Sequence, residues 1–276
     1  MSVQRVQVAA LQMASGPNVS ANLLEASRLL QEAADCGAKL AVLPESFGFL
    51  GEQDADILPL GEREGQGPLQ DFLAEMAAKL GIWIVGGTVP LREARTDRVR
   101  AACLVFDDRG NRVARYDKIH LFDVNLPESG ERYEESATIE PGQHTVVLDS
   151  PFGRLGLAVC YDLRFPELFR ALLDQGAEIV ALPAAFTALT GQAHWEILVR
   201  ARAIENLFYL IAAAQGGYHV NGRETYGHSM IVDPWGQVLD QVPRGAGLVC
   251  QPLDEEFRAA VRRNFPVIQH RRLKSD

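Results

Sequence analysis

Residues 154–167 read R-L-G-L-A-V-C-Y-D-L-R-F-P-E. Leu155, Gly156, Leu157, Ala158 and Val159 form a short apolar run, too continuous for an exposed strand and right for one buried on both faces. The run ends on Cys160. Pro166 then opens a helical pattern, P-E-L-F-R-A-L-L-D-Q, with Gly176 as its stop. A thiol is therefore expected where a central strand ends and a helix is about to begin. Ligands gather outside the carboxyl ends of strands in open α/β sheets, and a helix amino terminus favours negative charge. Both effects suit a thiolate. A lone cysteine is more commonly a buried small hydrophobe, but the polar run Tyr161-Asp162-Leu163-Arg164 points toward a nucleophile.

The same strand-to-helix alternation extends in both directions. Upstream, strands are expected at 5–13, 40–43 and 82–89, with helices at 19–36 and 68–80. Downstream of the strand at 154–159 come helices at 166–175 and 191–207 and strands at 178–182 and 208–214. Each half reads β-α-β-α-β, so its strands are expected to be parallel with right-handed crossovers. Between the halves, 100–107 and 112–120 form a hairpin around Asp108-Arg109-Gly110-Asn111. Residues 121–142 are long, polar and aperiodic, a loop of the size that is functional or disordered, and a strand follows at 145–148. Strands at 229–232, 238–242 and 248–253 and a helix at 254–264 complete the chain. With no linker or low-complexity segment, one domain is expected over 1–276, with a core of about 4–253 and a C-terminal helix and tail at 254–276. Two sheets, each covered by helices, make an α/β four-layer α-β-β-α sandwich.

The formal net charge is −9. An acidic surface argues against nucleic acid as a partner, because phosphate binding needs a basic face. The four cysteines, Cys36, Cys103, Cys160 and Cys250, include no C-x-x-C pair. In a chain of this length the expectation is reduced thiols rather than a disulfide framework or a zinc site. The amino-terminal residues alternate polar and apolar, and no apolar run is long enough to span a bilayer. A cytoplasmic protein without membrane contact is expected.

Glu45 ends its strand in L-A-V-L-P-E much as Cys160 ends its own in L-G-L-A-V-C. If the sheets pair, both tips lie at one rim. Such a carboxylate is commonly a cap or solvated, but the apolar approach and Pro44 partly desolvate this one, which makes it a usable proton acceptor. Lys118 lies in R-Y-D-K-I-H-L-F. A snorkelling strand lysine is the plain alternative, yet only four lysines (Lys39, Lys79, Lys118, Lys274) stand among the 27 basic residues. Arg would serve a merely positive role, whereas a compact ammonium suits a small developing oxyanion in a tight site. Glu135 reads on spacing alone as a surface acid, in competition with Glu128, Glu131 and Glu134. The six histidines give no Ser/His/Asp order and no H-E-x-x-H, and no G-x-G-x-x-G or P-loop follows a strand. A nucleotide cofactor is therefore unsupported.

L-P-E at Glu45, Y-D-K-I-H-L-F at Lys118 and C-Y-D-L-R-F-P-E at Cys160, in that order, resemble the nitrilase (carbon–nitrogen hydrolase) superfamily. The resemblance runs from Val6 to about Arg272. It implies an α-β-β-α sandwich, commonly a homodimer, that works without metal or cofactor through a Glu-Lys-Cys triad and a helper glutamate. Carried over, Cys160 is the nucleophile, Glu45 the general base, Lys118 the oxyanion donor and Glu135 the second glutamate. Further stretches, G-Q-A-H-W-E-I-L-V-R-A-R-A-I-E, A-A-A-Q-G-G, Y-G-H-S-M-I-V-D-P-W-G and P-V-I-Q-H-R-R, resemble the Nit branch, most of all its Nit1-type amidases of deaminated glutathione. The ω-amidases of that branch are less similar around 212–219 and 269–272.

The resemblance thus implies a cysteine amidase acting on a small carboxylate-bearing amide through a thioester, with the Tyr161 backbone N–H as second oxyanion donor. Arg164, Arg200 and Arg202 are candidate cations for the carboxylates, and Phe186, Thr187, Thr190, His194 and Trp195 are candidate lining residues after a strand tip. His194 and Trp195 serve equally well as packing at a helix start. Alternatives are an ω-amidase acting on 2-oxoglutaramate, a nitrile or N-carbamoyl hydrolase with the same triad, and a catalytically silent scaffold.

Overall fold

The computed structural model describes residues 5–93, 96–126 and 131–273. Its first half contains β1 (Val6–Gln12), α1 (Val19–Asp35), β2 (Leu40–Val42), α2 (Pro68–Leu80), β3 (Trp83–Arg92), β4 (Val99–Phe106) and β5 (Arg112–Asp117). Then come β6 (Asp123–Leu126), β7 (Glu131–Glu134) and β8 (Val146–Ser150). The second half contains β9 (Gly153–Leu157), α3 (Pro166–Asp174), β10 (Ile179–Ala184), α4 (Ala188–Asn206) and β11 (Tyr209–Ala214). The short pair β12 (Gly216–Tyr218) and β13 (Glu224–Tyr226) precedes β14 (Ser229–Val232), β15 (Val238–Val242), β16 (Gly247–Leu253) and α5 (Glu255–Asn264).

Local chemistry sets most helix ends. Asn18 caps α1 by accepting from the Ala21 N–H at 3.0 Å. Pro68 opens α2 and Gly81, at φ 62°, closes it in the left-handed region. α4 starts about one turn earlier than the sequence suggests, because Thr187 caps it and Gly191 lies inside its first turn. Gly191 is there for close approach rather than as a start signal. A Cβ on it would lie 2.3 Å from that of Tyr226.

Two six-stranded sheets result, ordered β16-β1-β2-β3-β4-β5 and β15-β14-β11-β10-β9-β8. In each, three parallel strands stand in the middle (β1-β2-β3; β9-β10-β11) with antiparallel strands outside them. The period-2 alternation of β1 sorts the layers. Ala9 and Leu11 pack with α1 and α2, while Val8 and Ala10 join a core shared with β9, β10, β11, α3 and α4. The α-β-β-α layering is as expected.

Three expectations need correcting. β9 is not central; it is the penultimate strand, covered on its outer side by antiparallel β8, though its last residues are fully buried. The 121–142 segment is not all loop, since it carries β6 paired with β7. The cysteines are not all reduced: Cys36 and Cys250 form a disulfide, and only Cys103 and Cys160 are free thiols. Pairing of β16 with β1, on which α1 packs, brings these distant positions together. No helix among the described residues is long and apolar enough to cross a membrane.

Candidate active site

Three strand ends meet at one rim. β2 runs out through Leu43-Pro44 to Glu45, β5 ends one residue before Lys118, and β9 continues through Ala158-Val159 to Cys160. Cys160 begins a short 3-10 turn (Cys160–Arg164) that separates β9 from α3. Its φ of 47°, and the 57° of Ser46 next to Glu45, are left-handed values that side-chain-bearing residues seldom adopt. Such backbone costs about 1–3 kcal/mol per residue and persists where the surroundings enforce it.

The Lys118 ammonium, 2% exposed, lies 2.9 Å from Glu45 Oε1 and 2.8 Å from each carboxylate oxygen of Glu135. Glu135 also accepts from the Phe122 N–H at 2.6 Å, which fixes its plane. Cys160 Sγ accepts from the Ala185 N–H at 3.4 Å. All four side chains line one cleft. Burial by itself drives the Lys118 ammonium toward neutrality, but Glu135 and Glu45 outweigh it and hold its pKa well above the ordinary lysine value. Burial pushes the Glu135 carboxyl up against the pull of Lys118. Burial, reinforced by Glu45, pushes the Cys160 thiol well above its ordinary value. The expectation of a thiolate favoured by a strand tip and helix start is therefore reversed. The thiol rests neutral and needs a base as it reacts.

Two buried polar straps fix these groups across the sheets. Asp162, fully buried in the Cys160 turn, accepts from the Tyr116 hydroxyl (2.7 Å), the His120 N–H (3.1 Å) and the Val159 N–H (2.9 Å), and its carboxylate meets His120 Nδ1 at 2.7 Å. Tyr116 and His120 flank Lys118, so one carboxylate ties the Cys160 turn to the Lys118 segment. Gln215, just past β11, donates to the Glu45 carbonyl at 2.9 Å and to Ser15 Oγ at 2.8 Å, and its own carbonyl accepts from the Ser15 N–H at 2.9 Å.

Tyr161, Arg164, Phe186, Thr187 and Thr190 also line the cleft. Tyr161 N–H falls in the first turn of the 3-10 segment, where amide hydrogens lack partners within the helix. Arg164 lies over the Tyr161 and Phe186 rings (5.7 and 5.0 Å), with Nη1 3.2 Å from His194 Nδ1. His194 therefore stands behind Arg164 rather than in the lining. Trp195 is packing: it is fully buried, donates to the His228 carbonyl at 2.8 Å and meets Phe186 edge-on. Arg200 and Arg202 need correction as cleft cations. Arg200 points to the far side of α4, toward the Gly236 carbonyl and Glu196. Arg202 donates to the Leu163 carbonyl and pairs with Glu205, bracing the Cys160 turn from behind. Glu134 and Arg132 pair on the surface, and Glu128 lies outside the described residues. Sequence reasoning missed Tyr133, Asn221 and Arg223 in the lining. The N-G turn at Asn221-Gly222 was the one local signal for a hairpin there, and nothing local aimed it at the cleft.

Arranged in this way, the site can take a proton from a neutral thiol onto a carboxylate and present an ammonium to an oxygen that gains charge. Similarity to known proteins shows the family. The carbon-nitrogen hydrolase family matches residues 7–263. The deaminated glutathione amidase of Yersinia enterocolitica is 43% identical over 274 residues, 99% of this chain and 95% of that protein. The structure of the C. elegans NitFhit protein superposes with a TM-score of 0.91 at 36% identity, over 99% of this chain and 66% of that one. Saccharomyces cerevisiae Nit3, of branch 10 of the nitrilase superfamily, superposes with a TM-score of 0.88 at 30% identity, over 98% of this chain and 97% of that one. A fold of two paired sheets, a buried acid–ammonium–thiol cluster and likeness over almost the whole length give one result: the chain belongs to the carbon–nitrogen hydrolase family of the nitrilase superfamily and is an amidase.

Proposed function

We propose that this amidase hydrolyses deaminated glutathione, 2-oxoglutaramyl-cysteinylglycine, to 2-oxoglutarate and Cys-Gly, with Cys160 as nucleophile. The observation that carries the reading is the Lys118 ammonium gripped by Glu45 and Glu135 in the cleft that holds a neutral Cys160 thiol. Glu45 takes the thiol proton as Sγ bonds to the amide carbonyl carbon. Lys118 and the Tyr161 N–H receive the oxyanion. Protonated Glu45 then gives its proton to the amine as the carbon–nitrogen bond breaks, leaving a thioester. Water, deprotonated by the same carboxylate, splits the thioester and restores the thiol. Glu135 serves as the positioning acid that holds Lys118 in place. Arg164 supplies a cation for a substrate carboxylate.

The substrate follows from the name shared by the curated relatives and from a cleft with more guanidinium than a neutral amide would need. A homodimer is supported by apolar side chains exposed on and around α4 and α5, among them Ile197, Ile204, Trp235 and Phe265; light scattering tests it. Cytoplasmic location is proposed together with the substrate, since glutathione keeps that compartment reducing, while the Cys36–Cys250 disulfide argues against it; fractionation tests it. The functional test is a panel of deaminated glutathione, 2-oxoglutaramate, N-carbamoyl compounds and nitriles, offered to native protein and Cys160→Ala. Deaminated glutathione should be the preferred substrate, with no turnover by Cys160→Ala. Preference for 2-oxoglutaramate would make the chain an ω-amidase, and no turnover of any amide would leave a silent scaffold.

A further inference from the structure

We propose that Arg223 is the specificity residue for the departing half of the substrate, binding a carboxylate carried by the leaving amine. The inference rests on the amidase reading above. The mouth of the cleft is a closed ring of contacts. The Arg223 guanidinium covers the Tyr133 ring (5.0 Å), Tyr133 meets Phe122 (5.0 Å), and Phe122 meets Tyr161 (5.1 Å). Arg164 covers both Tyr161 and Phe186. Phe186 follows Ala185, whose carbonyl accepts from Arg223 Nη2 at 2.8 Å and closes the ring. Aromatic faces thus surround the opening to Cys160, and a guanidinium interrupts them at two separate points.

Arg223 is incompletely used. Its Nε is buried and has no acceptor among the described residues, a costly state for a donor of this kind. Nε has no exposed surface as it stands, so an arriving carboxylate would meet the cleft-lining guanidinium and satisfy Nε on turning it. Position assigns the halves. Arg164 belongs to the nucleophile's own turn, beside the acyl group that stays on sulfur. Arg223 belongs to the β12–β13 hairpin, whose Tyr218 and Val220 are exposed, and the amine departs toward solvent. The span also fits. Ala185 bonds to Sγ through its N–H and to Arg223 through its carbonyl, so the guanidinium lies within about 10 Å of the sulfur. An extended dipeptide amine reaches about 7 Å from the scissile nitrogen, and a charge-assisted hydrogen bond adds about 3 Å. The ligand class is therefore a short peptide or amino acid with a free C-terminal carboxylate.

The test measures a 2-oxoglutaramyl dipeptide with a free carboxylate against its C-terminal carboxamide, on native protein, Arg223→Gln and Arg223→Lys. Native enzyme should prefer the free acid by on the order of 10- to 100-fold in kcat/KM, carried mainly by KM. Arg223→Gln should bring that ratio close to one, and Arg223→Lys should restore part of it. The ratio is internal to each preparation, so partial misfolding does not move it. A ratio near one in the native enzyme, or an unchanged ratio in Arg223→Gln, overturns the assignment. If native protein hydrolyses neither compound, the amidase reading fails separately, and protection of Cys160 from iodoacetamide decides Arg223. N-acetylglycine should then protect native protein better than N-acetylglycinamide does, with no such difference in Arg223→Gln. Equal protection by the two compounds in native protein overturns the proposal.

Discussion

Replacing Lys118 by Met removes the one cation shared by the buried Glu45 and the half-buried Glu135. In the native protein Nζ stands 2.8–2.9 Å from Glu45 and Glu135. Without it, two acids face each other with little exposure, and one must take up a proton or bear an uncompensated charge. Removing one partner of a buried ion pair costs about 3–5 kcal/mol, and that is the destabilisation expected at pH 8. The pH dependence has a definite sign. The native contribution of Lys118, whose pKa is raised, is fully present below the ordinary lysine value, so it stays flat between pH 5 and 8. The orphaned carboxyl has a folded pKa above its unfolded value, and the folded variant binds a proton more tightly as pH falls. Each unit of that upward shift relieves about 1.4 kcal/mol on the acid side. The deficit measured by equilibrium urea unfolding should therefore shrink at pH 5, and the added change Glu135→Gln should recover much of it at pH 8. An equal deficit at both pH values, with no recovery in the double variant, refutes the reasoning that Lys118 neutralises this pair of acids.

Other perturbations separate the roles of the neighbouring groups. Lys118→Arg keeps the charge but cannot fit a planar fork between two carboxylates at 2.8–2.9 Å, so kcat should fall by about 10²–10³; near-native turnover would remove Lys118 as the oxyanion donor. In native protein, iodoacetamide labelling of Cys160 should still be climbing at pH 9, because burial and Glu45 hold the thiol protonated; a plateau below pH 8 contradicts this. Glu45→Gln should lose turnover by about 10²–10⁴; near-native turnover would remove Glu45 as the base. Asp162→Asn places an amide among donors, and stability should drop by about 1–3 kcal/mol. Slower Cys160 labelling should accompany it, which loss of stability alone would not produce while the protein stays folded.

Residues that end a strand at the cleft were legible in the sequence. Glu45 and Cys160 each close an apolar run, and Lys118 stood out because the chain otherwise prefers arginine. Glu135 had no local mark and was reached only through the family resemblance, since its partner Lys118 is recognised by three-dimensional contact. Arg200 and Arg202 failed as cleft cations because helical phase turns them away from the β10 tip, a distinction a run rich in apolar residues on several faces does not disclose. The Cys36–Cys250 disulfide was hidden because β16 returns to pair with β1 at the far end of the chain. Arg223 escaped for a similar reason. Its hairpin reaches the cleft only through contacts with Ala185 and Tyr133.

Covalent chemistry at one sulfur is the claim with the most direct test. Native protein, mixed with deaminated glutathione, quenched in acid within the first turnovers and digested, should carry the 2-oxoglutaryl group as a thioester on the Cys160 peptide. The adduct should vanish with hydroxylamine and be absent from Cys160→Ala. Turnover without any adduct at Cys160, or an adduct on Cys103 in its place, would contradict it.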